Sequence, residues 1–97
     1  MYKISQWTYA QAKRIGVKVK PSKNKNKKID VFNKRGEKVA SVGALGMNDY
    51  PTYLSKERKG IVPKGYADKR RKLYKHRHES DRHKRGSAGY FADQLLW

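Results

Sequence analysis

Twenty-five Lys and Arg against eight Asp and Glu give this 97-residue chain a formal net charge of +17, and 36% of its residues are hydrophobic. Such a length allows one domain with a thin core, burying roughly 60–70% of the surface exposed when unfolded, and self-repulsion at this charge density opposes compaction unless a polyanion relieves it. The lack of cysteine excludes disulfides and thiolate metal sites; Met1 to Ser5 lack the apolar run of a signal peptide, and no stretch reaches the roughly 18–20 apolar residues of a membrane span.

Residues 1–28 carry nine basic residues and no acidic one. Ser5 is placed to cap a short helix to about Ile15, with Trp7, Ala10 and Arg14 or Ile15 at helical spacing and Gly16 as the stop. Val17-Lys18-Val19-Lys20 alternates as a short strand and ends at Pro21. Ser22 to Lys28 reads as a low-complexity basic linker, either a solvated loop or a phosphate contact made by Lys23, Lys25, Lys27 and Lys28. Together these elements form a basic N-terminal arm.

Residues 29–54 are electrically neutral, with Lys34, Arg35 and Lys38 against Asp30, Glu37 and Asp49, and the core is expected there. Ile29 and Val31 alternate with Asp30 and Phe32, Asn33-Lys34-Arg35-Gly36 is a turn, and Lys38 to Val42 returns. This is a β-hairpin with a four-residue connection. Gly43 and Gly46 mark a turn or a tightly packed backbone; a phosphate-cradling loop would need a following Lys-Ser/Thr, which is missing. Asn48 or Asp49 caps a short helix containing Tyr50 to Leu54, with Pro51 suited to its first turn.

Residues 55–86 hold thirteen basic and four acidic residues. After a basic loop from Lys56 to Gly65, a helix is predicted from Tyr66 to about Lys84, ended by Gly86, with no internal Gly or Pro. Its packing stripe is Tyr66 or Ala67, Arg70, Leu73 or Tyr74, and Arg77. The remaining surface is cationic. The candidate polyanion-binding residues on this block are Lys69, Arg70, Arg71, Lys72, Lys75, Arg77, Arg82, Lys84 and Arg85. Asp68 suits the helix dipole, and Glu79 and Asp81 stand four residues after Lys75 and Arg77 as intrahelical ion-pair partners. Ser87 caps a last helix in which Phe91, Ala92, Leu95 and Leu96 share a face. Tyr90, Phe91, Leu95, Leu96 and Trp97 form a candidate partner anchor; the alternative is that Trp97 docks on the hairpin and completes the core. The whole reads as a single α+β domain over residues 1–97: a small hairpin or sheet with an N-terminal helix, a basic helix and a short C-terminal helix.

No catalytic residue, metal site or cofactor is expected. His76, His78 and His83 lack the spacing that converges zinc ligands on a helix, and the acidic residues are better explained as charge-softening partners than as nuclease carboxylates. The basic blocks suit phosphate contacts without sequence preference. Tyr50, Tyr53, Tyr66, Tyr74 and Tyr90 either stack on bases or serve as amphipathic core residues.

Several segments in order, Lys28-Ile29-Asp30-Val31-Phe32, Ala40 to Ala44, Asp49-Tyr50-Pro51-Thr52-Tyr53-Leu54, Ala67 to Glu79 and Gly86 to Trp97, resemble a family of small basic proteins of large double-stranded DNA viruses of algae and protists. The resemblance covers roughly residues 28–97; the Lys56–Gly65 loop is longer than the family's connection. It supplies no catalytic residues. It implies a virion setting, reached through the host cytoplasm or nucleus during assembly, as a minor capsid component or a protein associated with packaged DNA. The expected partners are viral capsid proteins, DNA phosphates, or both, within a large assembly. A free non-specific DNA- or RNA-binding protein is the runner-up, and a nuclease a distant third.

Overall fold

Short-range chemistry opens three of the four helices. A computed structural model of the chain describes residues 2–97. Ser5 Oγ accepts the Thr8 amide at 3.2 Å and opens α1 (Gln6–Ile15), and Gly16, at φ 78°, closes it. Asp49 opens α2 (Tyr50–Arg58) in the same way, with Pro51 in the first turn, and Ser87 opens α4 (Ala88–Leu96). Between α1 and α2 lie β1 (Lys18–Pro21), β2 (Lys27–Phe32) and β3 (Lys38–Ala44), and α3 (Tyr66–Arg77) follows α2.

The three strands form an antiparallel sheet in the order β1-β2-β3. Val19 pairs with Val31, and Val31 with Ala40, while Ile29 pairs with Val42. These residues share one sheet face, because side chains alternate along a strand. Ile29 and Val31 are fully buried. They meet Ile4 and Ala12 from the N-terminal segment and Phe91, Leu95 and Leu96 from α4 in one apolar cluster. The buried Thr8 hydroxyl donates to the Leu95 carbonyl at 2.9 Å and ties α1 to the end of α4. A second cluster joins α2 to α3 through Tyr50, Tyr53 and Ala67, and Trp97 touches both clusters. The fold is therefore mixed α+β, as expected, with an extra strand pairing.

That pairing corrects the reading of Ser22 to Lys28 as a linker. Lys23 to Asn26 is a tight turn between β1 and β2, held by the Asn24 amide donating to Ser22 Oγ at 3.0 Å and the Asn26 amide donating to Asn24 Oδ1 at 2.9 Å. Short polar side chains favour such turns by bonding their own backbone two residues on. β3 also runs two residues past Val42, through Gly43 at φ 83°. A Cβ there would lie 2.7 Å from Leu96 Cδ1, so this glycine answers to a close approach.

The basic helix is shorter than predicted. It stops at Arg77, and residues 78–86 form turns. Glu79 is drawn to Arg82 and His83, and Asp81 to His78, in place of the intrahelical partners Lys75 and Arg77. Lys75 instead reaches Asp93 at 2.8 Å.

Candidate polyanion-binding surface

The site is defined as much by what happens to the acids as by the bases. Asp49 is fully buried and accepts from Lys28 Nζ at 2.8 Å, Tyr2 Oη at 2.7 Å, Thr52 Oγ1 at 2.6 Å and the Thr52 amide at 3.1 Å. Burial, reinforced by the Asp49 carboxylate, pushes the Tyr2 hydroxyl far above its ordinary range and keeps it a donor. Asp93, 1% exposed, accepts from Lys75 and from Gln94 Nε2, with Arg82 at 3.7 Å. Asp30, 3% exposed, has no cation in contact but accepts from Ser22 Oγ and Ser41 Oγ, each at 2.6 Å, and from the Lys23 amide at 3.3 Å. Burial alone would raise its pKa; these hydrogen bonds more than offset it and hold the carboxyl below its ordinary range.

The other five acids are engaged nearer the surface. Glu57 spans from α2 to the start of α3 and accepts the Gly65 amide at 2.9 Å and the Ala67 amide at 2.8 Å. It supplies the cap that Gly65 has no side chain to provide. Asp68 accepts from Tyr50 Oη, Glu37 from Asn33, and Asp81 lies near His78. Glu79 meets His83 and Arg82, contacts that hold its carboxyl below the usual range. Among the described residues, only Lys28, Lys75 and Arg82 of the 25 Lys and Arg stand within 4.0 Å of a carboxylate. Most of the Lys and Arg behind the formal net charge of +17 are therefore in contact with no carboxylate.

The predicted binding residues divide accordingly. Lys23 and Lys25 are exposed at the β1–β2 turn and Lys27 is half-buried beside them. Lys28, 4% exposed, is spent on Asp49 and is not a phosphate ligand. On α3 two stripes separate. Ala67, Arg70, Arg71, Tyr74 and Lys75 turn inward, and Lys69, Lys72, Leu73, His76 and Arg77 are exposed. This corrects the predicted packing stripe at Leu73 and Arg77. Arg71 lies 4.7 Å from the Tyr50 ring centroid and Arg70 5.9 Å from that of Tyr53, so both guanidinium groups sit over tyrosine rings within cation–π reach. Lys84 and Arg85 are exposed beyond the helix, while Arg82 is half-buried between Glu79 and Asp93.

The predicted anchor is mostly core. Phe91, Leu95 and Leu96 are 6%, 0% and 1% exposed within the chain itself, which leaves them no surface for a neighbour. Tyr90 is half-buried. Trp97 is half-buried too, stacked on Tyr74 at 4.4 Å between centroids and 7° between planes. Burial and the nearby Asp93 and Asp81 charges push the Tyr74 hydroxyl up to about 12. Tyr50 and Tyr53 are buried in the second cluster, so they are not platforms for bases. Among the described residues, no group of three or more His, Asp or Glu converges as metal ligands, and no helix is long and apolar enough to cross a membrane. Comparison of the chain with protein-family models, curated proteins and solved structures finds no match.

Proposed function

We propose that this chain is a non-enzymatic basic structural protein of a virion, a minor capsid component or a connector between capsid and genome. It holds acidic protein surfaces and nucleic-acid phosphates through its unneutralised exterior. One observation carries the reading: every one of the eight acidic side chains is hydrogen-bonded or paired within the fold, while nearly all the Lys and Arg stand without a carboxylate partner. A surface so one-sided in charge raises the local concentration of polyanions and releases their counterions on contact. The same arrangement argues against a catalytic role, since the carboxylates a nuclease would use are committed to structural partners. The virion setting, with passage through host cytoplasm or nucleus, follows the sequence resemblance.

The second reading, a free non-specific DNA- or RNA-binding protein, draws on the exposed stripe of α3. Lys69, Lys72, His76 and Arg77 lie on one face of a 12-residue helix, a cationic stripe about 12 Å long. Binding of purified protein to random-sequence duplex DNA and to polyglutamate, each titrated with salt, tests the common core of both readings. Log affinity is expected to fall linearly with log salt for both ligands. A flat response would refute polyanion binding.

A further inference from the structure

A groove lies apart from α3 and from every residue that the sequence marked as polyanion-binding. It runs between the N-terminal segment and α2, with a volume of about 570 Å³. Lys3, Lys56, Arg58 and Lys59 line it, and no carboxylate does. The nearest acid in sequence, Glu57, turns both oxygens to the amides at the start of α3. The apolar part of the lining is Ile4, 8% exposed, the buried Pro51, and Ile61, which leaves 64% of its surface open at the groove. The rim is thus cationic and the floor apolar.

We propose that this groove docks an extended acidic peptide segment of a neighbouring protein, one that carries apolar side chains between its carboxylates. Carboxylates on such a segment would meet Lys3, Lys56, Arg58 and Lys59, while its apolar side chains cover Ile61 and reach toward Ile4 and Pro51. A phosphodiester backbone satisfies the rim but has nothing to place on the apolar floor, and one face of the Tyr2 ring in the wall is already taken by the Lys28 ammonium, 5.2 Å from its centroid. Peptide recognition of this kind takes orientation from charge and specificity from apolar pockets. The inference rests on the connector reading and deepens it: α3 and the groove give the chain two separate anion-binding faces, one for phosphate and one for protein.

The test uses the full chain, a fluorescein-labelled peptide of about ten residues alternating Glu with Leu, polyglutamate of matched charge, and a random duplex. Arg58→Glu/Lys59→Glu changes exposed side chains at the groove, Ile61→Ser removes the exposed apolar group, and Lys69→Glu/Lys72→Glu alters α3 alone. The alternating peptide is expected to bind more tightly than polyglutamate. The Arg58/Lys59 pair should weaken it about tenfold while duplex affinity changes less than about twofold, and the α3 pair should do the reverse. Ile61→Ser should erase the peptide's advantage over polyglutamate. Equal weakening of peptide and duplex binding in the Arg58/Lys59 variant, or equal affinity of the two acidic ligands for the unaltered protein, would overturn the inference and leave polyanion binding standing. Failure of the unaltered protein to bind duplex and polyglutamate alike would instead sink the reading on which it rests.

Discussion

Replacing Lys28 by Met isolates the buried charge pair at the junction of β2 and α2. The methionine keeps most of the stem that packs beside Gly43, and removes the ammonium that lies 2.8 Å from Asp49 and 5.2 Å from the Tyr2 ring centroid. Asp49 is fully buried and would then depend on Tyr2 and Thr52 alone for its negative charge. Breaking one side of a buried pair costs about 3–5 kcal/mol, because an uncompensated charge remains. The three surviving hydrogen bonds argue for the lower end, about 3 kcal/mol. A chain of this size has roughly 5–15 kcal/mol of stability in all, and its thin core and high charge place it near the bottom of that range. Urea unfolding followed by Trp7 and Trp97 fluorescence should show the midpoint falling by roughly 1–3 M. Lys28→Met/Asp49→Asn should recover at least half of the deficit, since the amide keeps the helix cap without the charge. A destabilisation below about 1 kcal/mol in the single variant would refute the reasoning.

Gly43→Ala would force a Cβ against Leu96 at a φ of 83°; a destabilisation of about 2 kcal/mol, seen as a melting temperature lower by about 10 °C, is expected by calorimetry. Glu57→Ala leaves the Gly65 and Ala67 amides without their acceptor and should cost about 1 kcal/mol in urea unfolding. The folded pKa of Asp30 lies below its ordinary 3.8, so its contribution is full above that pH and disappears as pH falls below it. Ser41→Ala should move the Asp30 carboxyl upward in an NMR titration and shift acid unfolding to higher pH. Replacing Lys69, Lys72 and Arg77 together by Ala should reduce the slope of log affinity for duplex DNA against log salt by about three, roughly one for each phosphate no longer neutralised.

Local signals in the sequence carry most of the element boundaries. Ser5 and Gly16, Asp49 with Pro51, and Ser87 each act within a few residues, so their helices begin and end where cap chemistry dictates. The β2–β3 hairpin is legible for the same reason. Interactions between distant residues are not. Nothing near Lys28 announces that its charge meets an aspartate 21 positions on, and a lysine-rich run resembles a linker until Val19 is seen beside Val31. Sequence reasoning overextends α3 because residues 78–84 contain no Gly or Pro to stop it, whereas Glu79 and Asp81 fold their segment back onto Arg82, His83 and His78. Composition makes the cationic surface plain, but only the fold sorts its members. Arg70, Arg71 and Lys75 share a helix with Lys69 and Lys72 and differ from them only by the face on which they fall. The core role of Leu95 and Leu96 is open from sequence, since an apolar terminal helix serves a neighbour's surface as well as its own sheet.

As proposed above, this protein joins a virion shell to what the shell encloses. Quantifying the chain in purified full particles and in genome-free particles of the same virus tests that claim most directly. Stoichiometric retention without the genome is the expected result, because on that proposal the chain's acidic partner belongs to the shell. Departure of the protein together with the DNA would contradict the account and leave a genome-coating protein in its place.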